Sequence, residues 1–153
     1  MQIKQTATQE EIAAARQLFI EYAQWLNVDL CFQGFSAELA SLPGVYSPPR
    51  GRLLIAQSET EHVGCVALRP LGSTACEMKR LFVRPQFRGQ GAGRVLVETV
   101  IREGKEIGYN LMRLDTLPCM TSALLLYESF GFKPIAPYYE TPLQDTVFLE
   151  LTL

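Results

Sequence analysis

The sequence predicts an α/β (α+β) fold: a mixed, mostly antiparallel sheet with a central parallel crossover and helices on both faces. Three observations predict it. Apolar and β-branched runs separated by turn residues over 52–83 indicate a meander of antiparallel strands. A strand, a helix and a strand over 75–116 predict one right-handed parallel crossover. Residues 132–153 then close the chain as an antiparallel pair.

The first predicted elements are a short strand over 2–6 and an amphipathic helix. Thr8 and Glu11 have the spacing of a capping box, which marks the start of that helix. Apolar residues recur at intervals of three and four as far as Asn27, as on one buried face. The residues of this stripe are Ile12, Ala15, Phe19, Tyr22 and Leu26.

The segment 28–50 is irregular, with a short helix capped by Ser36 and a loop rich in glycine and proline. Three strands follow, and Pro85 ends the third. Their predicted ranges are 52–57, 62–70 and 75–83. Strict alternation divides the side chains of the third strand between two faces. One face holds Glu77, Lys79, Leu81 and Val83, and the other holds Met78, Arg80 and Phe82.

The second half predicts a helix that ends at Gly108, a strand over 111–116 and a helix over 120–131. A closing pair of strands comes from "FKPIAPYY" and "DTVFLELTL". With 153 residues, 48% of them hydrophobic, the chain has the size and composition of one domain over 1–153.

Composition also bears on location and partners. No apolar run is long enough for a membrane span, and acidic residues near the N-terminus do not fit a secretion signal, so we expect a cytoplasmic protein. The net charge of -2 argues against a nucleic-acid surface. Four scattered cysteines and a single histidine, His62, predict neither a disulfide framework nor a metal site.

The segment "RPQFRGQGAGRVLVETVI" joins glycines to the start of a helix. A helix N-terminus has unpaired N–H groups and a positive dipole end, and glycine lets an anion approach them closely. The segment therefore predicts a phosphate site, with a purely conformational glycine turn as the alternative. Its spacing fits neither the Walker loop nor the dinucleotide fingerprint. Asp115, about twenty residues further on, keeps a dinucleotide site open as an alternative.

The run Arg88-Gly89-Gln90-Gly91-Ala92-Gly93 resembles the R/Q-x-x-G-x-G/A acetyl-CoA signature of the GNAT superfamily of N-acetyltransferases. "ALLLYESFGF", residues 123–132, resembles the later A-x-x-x-Y-x-x-x-G-F segment of the same family, and the order of elements is similar over nearly the whole chain. Met120 stands where many members have asparagine, so no role of that asparagine is carried over.

The resemblance implies acetyl-CoA as cosubstrate, with no metal. The pantetheine arm is expected to lie along the main chain of Leu81, Phe82 and Val83, and one N–H of this segment is expected to stabilise the oxyanion. The pyrophosphate is expected on the backbone N–H groups of the signature. That signature comprises Arg88, Gly89, Gln90, Gly91, Ala92, Gly93 and Arg94.

Two side chains are candidates for proton transfer. Tyr127 matches the family tyrosine that protonates the leaving thiolate, with a core aromatic as its alternative role. Glu77 resembles a general-base glutamate. The alternatives are that it is a surface charge or a partner of Lys79, with a chain of water molecules acting as the base. An alkyl ammonium with a pKa of about 10 has to lose a proton before it attacks a thioester, so a base is needed.

We expect the amine that accepts the acetyl group to belong to a small molecule or a peptide. In the family its cleft is built from the N-terminal helices, their loop and the last strand pair. The candidates there are Trp25, Asp29, Phe32, Phe35, Tyr46, Tyr138, Tyr139 and Glu140. Aromatic and acidic groups can hold a cationic amine, but the same residues are typical of a core or a homodimer interface. A non-catalytic acetyl-CoA-binding sensor or partner module is the alternative function.

Overall fold

The computed structural model describes residues 1–153, which form a seven-stranded sheet with four α-helices. The strands are β1 (Gln2–Gln5), β2 (Arg52–Gln57), β3 (His62–Leu71), β4 (Ala75–Val83), β5 (Leu111–Thr116), β6 (Lys133–Pro134) and β7 (Val147–Thr152). The helices are α1 (Gln9–Leu26), α2 (Phe35–Ser41), α3 (Ala92–Ile107) and α4 (Thr121–Ser129). The strand order is β1-β2-β3-β4-β5-β7-β6.

The predicted fold class is confirmed, because β4 and β5 pair in parallel and all other neighbouring strands are antiparallel. The closing pair is shorter than predicted. β6 contains two residues, after which Ile135 donates one more N–H bond to Phe148. Pro134 and Pro137 have no N–H to donate, so the chain leaves the sheet here and becomes a loop. That loop carries Tyr138 and Tyr139.

The N-termini of α1 and α2 differ in whether a side chain caps them. The capping box is present: the Glu11 N–H donates to Thr8 Oγ1 at 3.1 Å, and the Thr8 N–H donates to Glu11 Oε1 at 3.1 Å. The predicted Ser36 cap of α2 is wrong. Gly34, with a φ of 69°, precedes the helix, and no side chain caps its N-terminus. Ser36 instead lies within the first turn.

Helices cover both faces of the sheet and form two cores. On one face α3 packs Leu96, Val97 and Val100 against the strands. On the other face α1 does the same with Leu18 and Phe19. Burial of each large apolar side chain stabilises the fold by roughly 1.5–3 kcal/mol, so these two cores fix the sheet that positions the site.

A β-bulge in β4 overturns the predicted alternation of its side chains. Cys65 of β3 pairs with Phe82, but Ala67 pairs with Lys79, so β4 carries one extra residue between these points. Arg80 has a φ of 60° there. The pairing register of β3 imposes this bulge, and no local pattern in β4 indicates it.

After the bulge, the side chains of β4 point to the opposite faces of the sheet from those that strict alternation predicts. Leu81 and Val83 pack with Met78 on the α3 side, whereas Phe82 packs on the α1 side. The prediction that Leu81 and Val83 share a face with Glu77 is therefore wrong. Glu77 and Lys79 line a separate cavity beside α2.

Candidate active site

The first cavity of the site, which we call the glycine cleft, lies between the end of β4 and the starts of α3 and α4. Its volume is about 520 Å³. Most of the predicted cofactor residues line it, namely Leu81, Phe82, Val83, Arg88, Gly89, Gly91, Ala92 and Gly93. The side chains of Gln90 and Arg94 do not line it. Trp25 and Met120 complete its apolar walls.

An array of unpaired backbone N–H groups lies at one end of the glycine cleft. The Arg88 N–H donates to Pro85 at 3.2 Å, and the next backbone N–H bond within the chain is that of Val95 to the Gly91 carbonyl at 3.1 Å. The N–H groups of residues 89–94 therefore have no backbone partner. Gly91, with a φ of 88°, precedes α3 and provides no capping side chain. This arrangement fits a phosphate group, which can accept several of these N–H bonds together.

The arginine side chains of this segment are directed away from the N–H array. Arg88 Nε donates to the Val83 carbonyl at 2.9 Å, and its guanidinium lies 4.4 Å from the centroid of the Trp25 ring. Arg94 Nη2 donates to Ser129 Oγ at 3.1 Å on α4. The unpaired donors of this segment are thus backbone groups, while the side chain of Arg88 supports the wall of the cleft at Trp25.

The second part of the site is a gap in the sheet, which we call the central gap. The parallel pairing of β4 and β5 ends at Glu77 and Arg113. Beyond that point the strands separate around a cavity lined by Lys79, Arg80 and Leu81 on one side and by residues 114–117 on the other. One edge of the end of β4 therefore has no strand partner.

Tyr127 of α4 lines the central gap. It is 6% exposed, and its ring packs edge-on against Phe132 with centroids 5.7 Å apart. Unlike the hydroxyls of Tyr109, Tyr138 and Tyr139, its hydroxyl makes no hydrogen bond within the chain. Burial raises the pKa of Tyr127 above its ordinary value, because desolvation disfavours the phenolate. The side chain thus combines the expected core packing with a proton available in the gap.

The third part, which we call the polar pocket, has a volume of about 490 Å³ and lies between α2 and the loop after β6. Glu77 is at its base and is 1% exposed. Its Oε1 accepts from Arg69 Nε at 2.7 Å, and its Oε2 accepts from the Tyr138 hydroxyl at 2.7 Å. Lys79 Nζ is 4.0 Å from Oε1. The interpretation of Glu77 as a surface charge is wrong, and Arg69 is its main ionic partner.

A second tyrosine and carboxylate pair connects the polar pocket to the central gap. The Tyr139 hydroxyl donates to Asp115 Oδ2 at 2.6 Å and accepts from Gln33 Nε2 at 3.4 Å. Lys79 Nζ donates to Gln33 Oε1 at 3.3 Å. Because Gln33 and Lys79 line both cavities, the polar pocket opens directly beside the gap.

Sequence reasoning did not place Gln33, Arg69 or Asp115 in this network, and it gave Lys79 only as a possible partner of Glu77. Arg69 had a usable signal, because a tight turn between β3 and β4 places it opposite Glu77, which is the observed register. Gln33 and Asp115 come from other elements and have no common spacing with Glu77 in the chain.

The predicted acceptor residues do not all lie in one cavity. The polar pocket contains Phe32, Tyr46, Tyr138 and Tyr139. Trp25 belongs to the glycine cleft, and Phe35 packs on the Arg80 guanidinium at 5.1 Å. Asp29 and Glu140 line none of the three cavities.

No group of three or more His, Cys, Asp or Glu side chains has the arrangement of a metal site. No α-helix combines the length and hydropathy that crossing a bilayer requires.

Comparison with known proteins shows that this fold belongs to an acyl-CoA-dependent acetyltransferase and gives its family. The model of the acetyltransferase (GNAT) domain matches residues 49–134. The chain is 43% identical over 140 residues to an uncharacterized N-acetyltransferase of Schizosaccharomyces pombe, covering 90% of this chain and 86% of the relative. The chain therefore belongs to the GNAT family.

Two solved structures extend the comparison. An acetyltransferase from Streptococcus agalactiae has the same fold, with a TM-score of 0.81 at 23% identity, over 99% of this chain and 98% of that one. A GNAT family acetyltransferase from Elizabethkingia anophelis, solved with acetyl-CoA bound, has a TM-score of 0.58 at 26% identity. That match covers 67% of this chain and 76% of the other.

Proposed function

We propose that residues 1–153 act as one N-acetyltransferase domain, which moves an acetyl group from acetyl-CoA to a primary amine of a small molecule or peptide by direct attack. One observation carries the proposal. The unpaired N–H array of residues 89–94 lies in the glycine cleft, which shares Leu81 and Met120 with the central gap, and the gap shares Gln33 and Lys79 with the polar pocket. A long thioester and an amine can therefore meet in the gap from opposite sides.

Acetyl-CoA supplies the activated acetyl thioester. The N–H groups of residues 89–94 bind its pyrophosphate, and the main chain of Leu81, Phe82 and Val83 holds the pantetheine arm along the free edge of β4. The bound acetyl-CoA of the Elizabethkingia neighbour supports this choice of ligand. The apolar walls at Trp25, Phe82 and Leu126 exclude water from the arm.

Two protons move during transfer, and each has a proposed carrier. The neutral amine adds to the acetyl carbon to form a tetrahedral oxyanion, and collapse of this oxyanion breaks the C–S bond. Tyr127 donates a proton to the departing sulfur, since its hydroxyl is protonated and faces the gap. The amine proton reaches Glu77 through Tyr138, which donates to Glu77 Oε2 and keeps lone pairs toward the pocket. This relay explains how a nearly inaccessible carboxylate can serve as the base.

The test is release of free thiol from acetyl-CoA across amines, amino acids, aminoglycosides and peptides, with acetyl-CoA binding measured in parallel by calorimetry. We expect binding together with turnover on at least one class of acceptor. Tight binding without turnover on any acceptor would favour a sensor or partner module. Absence of binding would reject both functions.

A further inference from the structure

The hydrogen-bonding groups left free in the polar pocket define what kind of acceptor it can hold. Both carboxylates of the pocket already have partners. Glu38 accepts from Arg80 Nε and Nη2, both at 2.9 Å, and Glu77 accepts from Arg69 and Tyr138. What remains free toward the cavity is positive charge on Arg69 and Lys79.

Arg69 and Lys79 form a paired cationic site. Arg69 Nε and Lys79 Nζ both lie within 4.0 Å of Glu77 Oε1, so two positive charges face one negative charge. The two Nη groups of Arg69 make no hydrogen bond within the chain, and Lys79 Nζ has only the neutral amide of Gln33 as a hydrogen-bond partner. The Lys79 side chain is 11% exposed. A buried ammonium with so little compensation favours an anionic ligand.

The tyrosine hydroxyls of the pocket favour a hydrogen-bond donor over an anion. Tyr138 and Tyr139 direct their hydroxyl protons to Glu77 and Asp115. The Tyr138 oxygen therefore offers its lone pairs to the cavity, and the Tyr139 oxygen, which also accepts from Gln33 Nε2, offers one more. An amine donates to such lone pairs. The pocket therefore has acceptors suited to an amine close to donors suited to an anion.

The outer wall of the pocket is apolar. Phe32, Pro43, Val45 and Leu71 line it together with the ring of Tyr46. The volume of about 490 Å³ lies within the roughly 300–1,000 Å³ typical of small-molecule sites. The size and lining fit a small molecule with an apolar substituent.

We propose that the acceptor is a small amine that also carries a carboxylate, such as an amino acid with an apolar side chain, and that Arg69 and Lys79 bind the carboxylate. This inference rests on the proposed acetyltransferase function and specifies its substrate class. Tyr138 and Tyr139 accept from the amine, which orients its nitrogen toward the central gap. The apolar substituent lies against Phe32 and Leu71.

The first test uses the unmodified protein and matched acceptors. Each amino acid, for example leucine, is compared with its amide and with the amine that lacks the carboxyl group, 3-methylbutylamine. We expect kcat/KM to be about tenfold to hundredfold higher for the acid, the range of one or two charge-assisted hydrogen bonds. The amino group of the amide is less basic, so a larger fraction of it is unprotonated and reactive. An enzyme that does not recognise the carboxylate is therefore expected to act faster on the amide. A higher kcat/KM for the acid is thus a stringent criterion.

The second test assigns the preference to a residue. Lys79→Met is expected to lower kcat/KM about tenfold or more for the acid and less than threefold for the amide, with the KM for acetyl-CoA unchanged. Lys79→Arg is expected to recover most of the loss. Lys105→Met, at an exposed lysine of α3, is the matched control. It is expected to leave kcat/KM unchanged for both the acid and the amide.

The outcomes separate this inference from the function on which it rests. Turnover that is equal or faster with amides and simple amines would overturn the carboxylate site and leave the acetyltransferase intact. If the ratio of kcat/KM for the acid to that for the amide is the same in Lys79→Met as in the parent, the assignment of the carboxylate site to Lys79 is overturned as well. No turnover with any acceptor would reject the acetyltransferase proposal itself.

Discussion

The glycine cleft and the polar pocket meet at the central gap but are built differently. The cleft presents main-chain N–H groups from one continuous segment, residues 89–94. The pocket presents side chains from α2, β3, β4 and the loop after β6. Backbone sites need glycines at defined positions, whereas side-chain sites need elements brought together by folding. The first kind is recognisable in a sequence, and the second is free to change with the acceptor.

The largest expected effect follows from placing a negative charge in the N–H array. Gly91→Asp adds a carboxylate that repels the pyrophosphate and competes for the N–H groups, so we expect the Kd for CoA to rise by about 10³-fold or more. Gly91→Asn is the nearly isosteric control, and it is expected to lose less affinity for CoA than Gly91→Asp. Calorimetric titration with CoA measures both, and an Asp variant that binds as well as the parent would refute a backbone anion site.

The next effect concerns the base in the polar pocket. Glu77→Gln removes the proton acceptor, so we expect kcat to fall about 10²-fold. Because the cofactor cleft is untouched, the KM for acetyl-CoA is expected to stay unchanged. Glu150→Gln, which breaks the Arg113–Glu150 ion pair on neighbouring strands, controls for the loss of a salt bridge. A kcat in Glu77→Gln equal to that of the parent removes Glu77 from the mechanism.

A smaller effect is expected at Tyr127. A thiolate is a fair leaving group, since a thiol has a pKa of about 8.5, so its protonation matters less than activation of the amine. Tyr127→Phe is therefore expected to lower kcat about tenfold with little change in the KM for acetyl-CoA. Tyr109→Phe, at a buried tyrosine whose hydroxyl bonds Arg50, provides the control in stopped assays of thiol release. Full turnover by the Tyr127 variant would exclude an obligatory acid.

The smallest effect tests whether arginine side chains take part in cofactor binding. Arg88→Met loses a bond to the Val83 carbonyl and the contact with Trp25, but it leaves the N–H array intact. We expect the KM for acetyl-CoA to rise by only about threefold, by analogy with a single partly exposed contact. A rise as large as that of Gly91→Asp would move the anion site from the backbone to the side chain.

Much of the fold was predictable because its signals are local. The capping box at Thr8, the stop at Gly108 and the glycines before α3 each depend on neighbouring residues. The glycine cleft followed from the same kind of signal. The bulge at Arg80 was not predictable, because it depends on how β4 pairs with β3. Without it, Leu81 and Val83 were assigned to the wrong face.

The polar pocket was only partly predictable for the same reason. Tyr138 and Tyr139 were candidates on composition, but their partners Glu77 and Asp115 lie on different strands. Arg69 reaches Glu77 only through the register of β3 and β4. The charge balance of the pocket, which determines its ligand, depends on these long-range pairings.

Initial-rate kinetics test the central claim, that the amine attacks the thioester directly while both cavities are occupied. Acetyl-CoA and the best acceptor are varied together, and thiol release is measured. The meeting of the glycine cleft and the polar pocket at the central gap predicts double-reciprocal lines that intersect, as expected for a ternary complex. Parallel lines would show that the acetyl group passes through the enzyme first and would contradict direct attack.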